Sequence, residues 1–200
     1  ATKPTSGVNF YNCYNCWVKN IRSLNSGRNH IYIGQSAHVE VRDSYFYAAA
    51  GGGNMIYGIE PAETSDNLIE NNIFDQVGAP IVYNGGASGI VAGYNFNWNP
   101  IFVSGNSNWM VGPTLHETGG HMNLFEGNYF NELSSDNQHG GSSLVTAFRN
   151  WIPGNLPPPN QKTQATWSFE LEPTSRVWNI IGNVLGTSGY HTGYETAPVL

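Results

Sequence analysis

The chain has 200 residues, of which 40% are hydrophobic and only 11% charged, with 24 glycines and a formal net charge of −6. That length suits one domain. Lys and Arg total 8 and are scattered, which argues against a nucleic-acid surface, and no apolar run approaches the about 18 residues of a membrane-spanning helix.

Residues 1–7 are a polar leader and read as a mature or trimmed start, without a signal peptide. Val8 to Tyr14 suggests a partial first turn. Trp17 to Leu24 is the first clear repeat, with Ile31 to Ile33 as a further strand. His38 to Tyr47 opens the next, followed by an AAAGGG excursion and a return at MIYGIE, residues 55–60. Leu68 to Phe74 and Pro80 to Tyr83 form a compact turn of the repeat, closed by Gly85-Gly86. Ile90 to Phe96 starts a long one that includes Pro100 to Val103, Asn108 to Val111 and GPTLHETGGH. Asn123 to Phe130 starts another, and SSDNQHGGSS stands in place of a loop. Val145 to Ile152 leads into PGNLPPPNQKTQ, the longest breaker in the chain. Trp167 to Glu172 and Val177 to Leu185 end the repeats.

These segments share one pattern: two or three apolar or β-prone residues, a two-residue polar step usually holding Asn or Gly, then two more apolar residues. Examples are SDNLIENNIF (65–74), GIVAGYNF (89–96), HMNLFEGNYF (121–130) and SRVWNIIGNVL (175–185), with weaker copies at 16–21 and 38–46. Taking Asn20, Ser44, Asn72, Tyr94, Asn128, Asn150 and Asn183 as equivalent gives steps of 24, 28, 22, 34, 22 and 33 residues, a solenoid period. The apolar runs are too short for a helical repeat and are rich in strand formers. A strand, a sharp corner and another strand describe one side of a parallel β-helix. The corner needs a left-handed residue, which Asn and Gly tolerate. The expected fold is therefore all-β: a parallel β-helix of about seven coils, with an asparagine ladder at one corner. Insertions at 48–54, 97–108 and 153–166 should emerge on one side and wall a binding face. The chain reads as one β-helix domain, residues 1–200, and its open end coils mean either that it is a fragment of a longer β-helix protein or that its ends stack on something.

Cys13 and Cys16, in CYNC, read as buried small residues or a local disulfide, with metal or redox chemistry as the alternative.

The LIENNIF, LFEGNYF and IIGNVL units resemble the right-handed parallel β-helix repeats of the pectin-lyase-like superfamily, over about residues 15–190. The resemblance implies a substrate groove along the stacked strands, walled by loops after the second strand. The superfamily's lyase motif of closely placed Asp calcium ligands with a basic Arg is not matched, nor is the polygalacturonase cluster of Asp residues.

The densest polar chemistry lies in residues 114–142, with His116, Glu117, His121, Asp136 and His139. His116 and His121 flank a Gly-Gly turn, and Asp136 and His139 occupy a similar turn one coil later, so stacking should bring the two pairs within several Å. Such a set suits an acid/base pair or a His/Asp metal site; the alternative is polar residues that hydrogen-bond turns. Asp136 or Glu117 is the expected acid or base, with His116, His121 and His139 orienting the sugar or sharing the proton work. Glu60 and Glu172 form a second column before prolines and could act with Asp136 as a glycosidase pair, or be surface carboxylates beside turns. Trp98, Trp109, Trp151 and Trp167 lie in or beside the insertions, where they would be platforms for sugar rings or buried core. His30, His38 and His191 are isolated and read as structural.

Two functions fit: a secreted carbohydrate-active enzyme, lyase or hydrolase, on a neutral or weakly charged polysaccharide, or a non-catalytic β-solenoid such as an adhesin, fibre or carbohydrate-binding segment. The expected partner is a polysaccharide, not nucleic acid or a membrane. No cofactor is assigned, with a divalent cation such as calcium as the one option.

Overall fold

The computed structural model describes residues 6–49, 57–102, 108–116 and 118–193. Every regular element among them is a strand, and no helix is long and apolar enough to cross a membrane. The strands are short, mostly three to six residues. They form three faces by parallel pairing. The first face runs Ser6–Tyr11, Asn29–Gly34, Tyr57–Ala62, Ala79–Tyr83, Thr114–Leu115, Leu133–Ser135 and Phe169–Leu171. The second runs Trp17–Lys19, Glu40–Arg42, Leu68–Glu70, Val91–Gly93, Leu124–Glu126, Ser143–Phe148 and Arg176–Ile181. The third runs Arg22–Ser26, Tyr45–Ala49, Ile73–Asp75 and Phe96–Trp98, and continues through a bridge at Tyr129 to Trp151–Ile152 and Val184–Leu185. The chain visits second, third and first face in turn, and each strand pairs with its counterpart one circuit later. This is the arrangement of a β-solenoid.

The corner between the second and third faces shows how the polar step works. Its first residue is left-handed: Asn20, Asp43, Asn71, Tyr94, Gly127, Arg149 and Gly182 have φ between 53 and 65°. Its second residue turns inward and stacks. Asn72, Asn95 and Asn128 each take the Oδ1 of the next asparagine on their backbone N–H, at 3.1, 2.8 and 3.0 Å, and Asn150 takes that of Asn183 at 2.8 Å. Each Nδ2 also donates to a carbonyl of the preceding strand, as Asn128 does to Ala92 at 2.8 Å. Ser44 ends the ladder, accepting from the Ile21 N–H at 3.2 Å. The equivalence expected for Asn20 and Tyr94 is therefore off by one: Ile21 and Asn95 hold the stacking positions. The reason is directional. A left-handed residue projects outward, where the Tyr94 ring is 54% exposed, so only the following residue can reach the core.

The corner from first to second face repeats the device with Asn15, His38, Asp66, Gly89, Met122, Leu144 and Val177 left-handed. Here Asn67 and Asn123 serve as the inward amides, accepting the N–H groups of Val39 and Ile90 at 2.9 and 3.0 Å. Cys13 and Cys16 are joined as a disulfide beside this corner.

Inside, like stacks on like. Val41, Ile69, Ala92, Phe125 and Ala147 form one fully buried column on the second face. Phe46 and Phe74 stack at 5.2 Å beneath the third, and Ile31, Ile59 and Ile81 line the first. Burial of each large side chain contributes about 1.5–3 kcal/mol. His30 is fully buried; its Nε2–H donates to the Ala48 carbonyl at 2.8 Å while Nδ1 accepts the Ser23 hydroxyl at 2.8 Å, and burial pushes its pKa down to about 4. His38 packs edge-on to Tyr14, and His191 bridges the Thr187 N–H and the Thr166 carbonyl. Apolar side chains lie open at both ends of the stack, Tyr11, Tyr14 and Trp17 at one and Val177, Ile181 and Val184 at the other.

The three insertions all leave between the third and first faces; much of the first two lies outside the described residues. The 153–166 loop is tied by Asn155, whose Oδ1 accepts the N–H groups of Leu156 and Lys162 at 2.8 Å each. Its far end zips to the neighbouring loop, Met110 N–H donating to the Gln164 carbonyl at 2.9 Å.

Asn128→Ala should lower stability by about 2–4 kcal/mol, because it leaves the buried Asn95 N–H and Ala92 carbonyl without partners. Urea unfolding measures this, and an unchanged midpoint would contradict the ladder's structural role.

Candidate active site

Parallel register lays the outward side chains of the first face in rows. Val82, Thr114, Ser134 and Glu170 are successive partners in one row. Two residues further along, past the partners Leu115, Ser135 and Leu171, come His116, Asp136 and Glu172. Adjacent strands lie about 4.8 Å apart, so side chains of this second row touch. His116 Nδ1–H donates to Asp136 Oδ2 at 2.5 Å, and the Gln138 backbone N–H holds Asp136 Oδ1 at 3.1 Å. The His139 ring meets His116 edge-on at 4.4 Å. Glu172 Oε2 accepts the Asn137 N–H at 3.0 Å. With Nδ1 occupied, the remaining nitrogen of His116, Nε2, is the one available to a ligand.

Of these, His116, Asp136, Gln138 and Glu172 line a cleft of about 350 Å³. Tyr57, Phe102, Trp109 and Met110 supply its apolar walls, and Glu132 and Glu170 add two further carboxyls. No Lys or Arg is among the described lining residues.

Glu132 is the most deeply buried of the four cleft carboxyls. It is 4% exposed, and its Oε1 accepts the Trp167 indole N–H at 2.8 Å. The segment ahead of Thr114 crosses so closely that a Cβ at Gly112 would lie 1.7 Å from the Glu132 carbonyl oxygen, so only glycine fits. Burial holds the Glu132 carboxyl well above the usual carboxylate range; the Trp167 hydrogen bond opposes this and the nearby Glu170 charge adds to it. Glu170 is also raised, by burial first and then by repulsion from Glu172, with the Trp167 N–H opposing.

The structure thus brings together His116, Asp136, His139 and Glu172, with Trp109 on the wall and Trp167 at Glu132. Glu117 lies outside the described residues. His121 stands at the corner between first and second faces, exposed, with Nδ1 3.1 Å from Ser88 Oγ, and is not part of the His116 cluster. Trp98 and Trp151 belong to the third face, Trp98 stacked on Phe96 at 6.2 Å and Trp151 edge-on to Tyr129 at 5.0 Å. Glu60 aligns with the row of Glu170 rather than with Glu172, and three strand steps separate it from the strand before Asp136, about 14 Å along the stack. It is buried instead against Asn29, Asn84 at 2.7 Å and Arg28 at 3.5 Å. A direct Glu60–Asp136 pair is therefore ruled out by register. Glu132 and Glu170 were not singled out from sequence. Glu170 had a signal: in FELE it shares a face with Glu172 by strand alternation. Glu132 had none, because distant loop residues bury it. Among the described residues, no three His, Cys, Asp or Glu side chains converge as a metal site.

A carboxyl whose folded pKa is raised binds more protons than in the unfolded chain, so stability falls as pH rises above about 4.3 toward the folded value. Glu132→Gln should therefore stabilise the protein at pH 7.5 and do little near pH 4. Urea midpoints at the two pH values measure this; an identical pH dependence in variant and parent would contradict the buried, protonated carboxyl.

The chain matches no protein-family model, no curated protein and no solved structure. Its functional reading rests on the chemistry of the cleft.

Proposed function

We propose that the solenoid is a right-handed parallel β-helix of about seven coils, of the pectin-lyase-like kind, acting outside the cell to bind and cleave a neutral or weakly charged polysaccharide. The observation that carries this is the His116–Asp136 pair, set beside the raised carboxyls Glu132 and Glu170 in an open cleft walled by Trp109. Asp136 fixes the imidazole, and His116 Nε2 then accepts from or donates to a sugar hydroxyl. Trp109 and Phe102, 5.9 Å apart, offer flat apolar surface to sugar rings. Four carboxyls and no described Lys or Arg at the lining disfavour a polyanion. The Cys13–Cys16 disulfide suits an oxidising, extracellular setting.

The third face favours a second reading, a non-catalytic glycan-binding segment. Ile73, Phe96, Tyr129, Trp151 and Val184 align along it, and Ile73, Phe96, Trp151 and Val184 are 45, 39, 55 and 62% exposed.

Reducing-sugar and unsaturated-product assays over neutral glycans test the two. Asp136→Asn and His116→Ala should each lower turnover about a hundredfold or more, with the fold intact, whereas Trp151→Ala should leave turnover unchanged. Near-parent turnover in both cleft variants would contradict the enzymatic reading, and glycan binding lost only in Trp151→Ala would support the second.

A further inference from the structure

Glu132 is 4% exposed and lines the cleft, and its Oε1 is met by the Trp167 indole N–H. Among the described residues its Oε2 has no hydrogen-bond or ion-pair partner. A buried carboxyl met by one neutral donor is costly: burial favours its protonated form, and a cation in contact favours the charged one. No described neighbour supplies that cation. The covering segment presents Trp109, Met110 and Val111, and the next strand presents Glu170 and Glu172. His116 is engaged by Asp136. Arg28 lies over the Tyr57 ring at 5.3 Å, but its guanidinium is paired with Glu60 at 3.5 Å.

The rest of the lining has the same bias. Asp136, Glu170 and Glu172 join Glu132 in one cleft, with no described Lys or Arg among the lining residues. Tyr57, Phe102 and Trp109 wall the same space. Aromatic faces attract organic cations, and carboxyls are strong acceptors for an ammonium group. An ammonium brings three donors and imposes no fixed coordination shell. A metal ion suits the cleft less. Calcium takes about 6–8 oxygen ligands, and among the described residues no three His, Cys, Asp or Glu side chains converge as a metal site.

Building on the reading of the cleft as a glycan site, we propose that the sugar it selects carries a free amine: one protonated amino sugar in an otherwise neutral chain. Its ammonium meets Glu132 Oε2 and supplies the missing partner. Glu170 and Glu172, on the next strand, add negative potential beside it. The sugar ring lies on Trp109, and the His116–Asp136 pair serves a hydroxyl. Trp167 is a positioning residue that holds the Glu132 carboxyl by its other oxygen. Neutral sugars enter the same cleft with lower affinity, because they leave Glu132 without a counter-charge.

The test titrates the intact chain at about pH 6, where the amine and ordinary carboxyls are charged. The probes are short glucosamine and galactosamine oligomers and the same oligomers N-acetylated. Calorimetry gives Kd, and the Trp109 and Trp167 indole NMR signals report where each probe binds. The free amine should bind about tenfold tighter or more than its acetylated counterpart, and added salt should narrow the gap. Glu132→Gln and Glu170→Gln should each reduce that preference by about threefold or more. Both are isosteric, and their urea midpoints check that they fold. Glu40→Gln, on the second face, removes the same charge and should keep the preference. Loss of the preference in Glu40→Gln as well would mean general attraction to an acidic protein and would overturn the proposal. Equal affinity for amine and acetylated probe would also overturn it, as would a preference intact in either cleft variant. So would calcium ions that bind the cleft and exclude the amine. In each of these cases binding at Trp109 leaves the reading of the cleft standing. If neither kind of oligomer moves Trp109 or Trp167, that reading falls and the assignment with it.

Discussion

Everything in this molecule depends on the hydrogen bond from an asparagine amide to the backbone of the neighbouring coil. Parallel strands of two to six residues make few ladder bonds each and could slide. A slip of one residue would turn every inward side chain outward. The ladder of Asn72, Asn95, Asn128, Asn150 and Asn183, all buried but the last, forbids that slip, because each amide must meet one particular N–H and one particular carbonyl. With the second face fixed in this way, Val41, Ile69 and Ala92 stand in register and fully buried. The first face inherits the same register, which places Asp136 beside His116 although 20 residues separate them in sequence.

The cleft works against the rest of the fold. The core buries apolar side chains and pairs its ladder amides; the cleft buries the Glu132 carboxyl, which among the described residues is met by the Trp167 indole N–H and by no cation. Its cover is built from segments that are not part of the repeat. Met110 and Gln164 zip two insertions together, Asn155 braces one of them, and Gly112 lets the chain pass over Glu132. Local departures from the stabilising pattern of this sort concentrate at functional sites.

Much of the fold was legible in the sequence because its repeat is physical as well as textual. The step Asn71-Asn72 announces a left-handed residue followed by a stacking amide, and the same step recurs at Gly127-Asn128 and Gly182-Asn183. Where the step was less standard, as at Tyr94-Asn95, the left-handed residue was mistaken for the stacking one. The candidate site was legible in part. His116 and Asp136 share a glycine-rich context one coil apart, and coil stacking brings them together. His121 was grouped with them by sequence proximity, but the corner after Gly120 carries it to another side of the coil. Glu60 resembled Glu172 in preceding a proline, yet Glu172 lies one row further along its strand. Glu132 was invisible, since its environment comes from Gly112 and Trp167, which no local pattern connects to it.

The most direct test of the central claim, that register and loops together build a glycan site in the cleft, is the indole region of a proton–nitrogen NMR spectrum. The chain has six tryptophans, and those of the cleft and of the third face report separately. Titration with short neutral oligosaccharides should move the Trp109 and Trp167 indole signals and leave Trp98 and Trp151 in place. Movement of Trp98 and Trp151 with Trp109 and Trp167 unchanged would contradict the account and put the glycan on the third face.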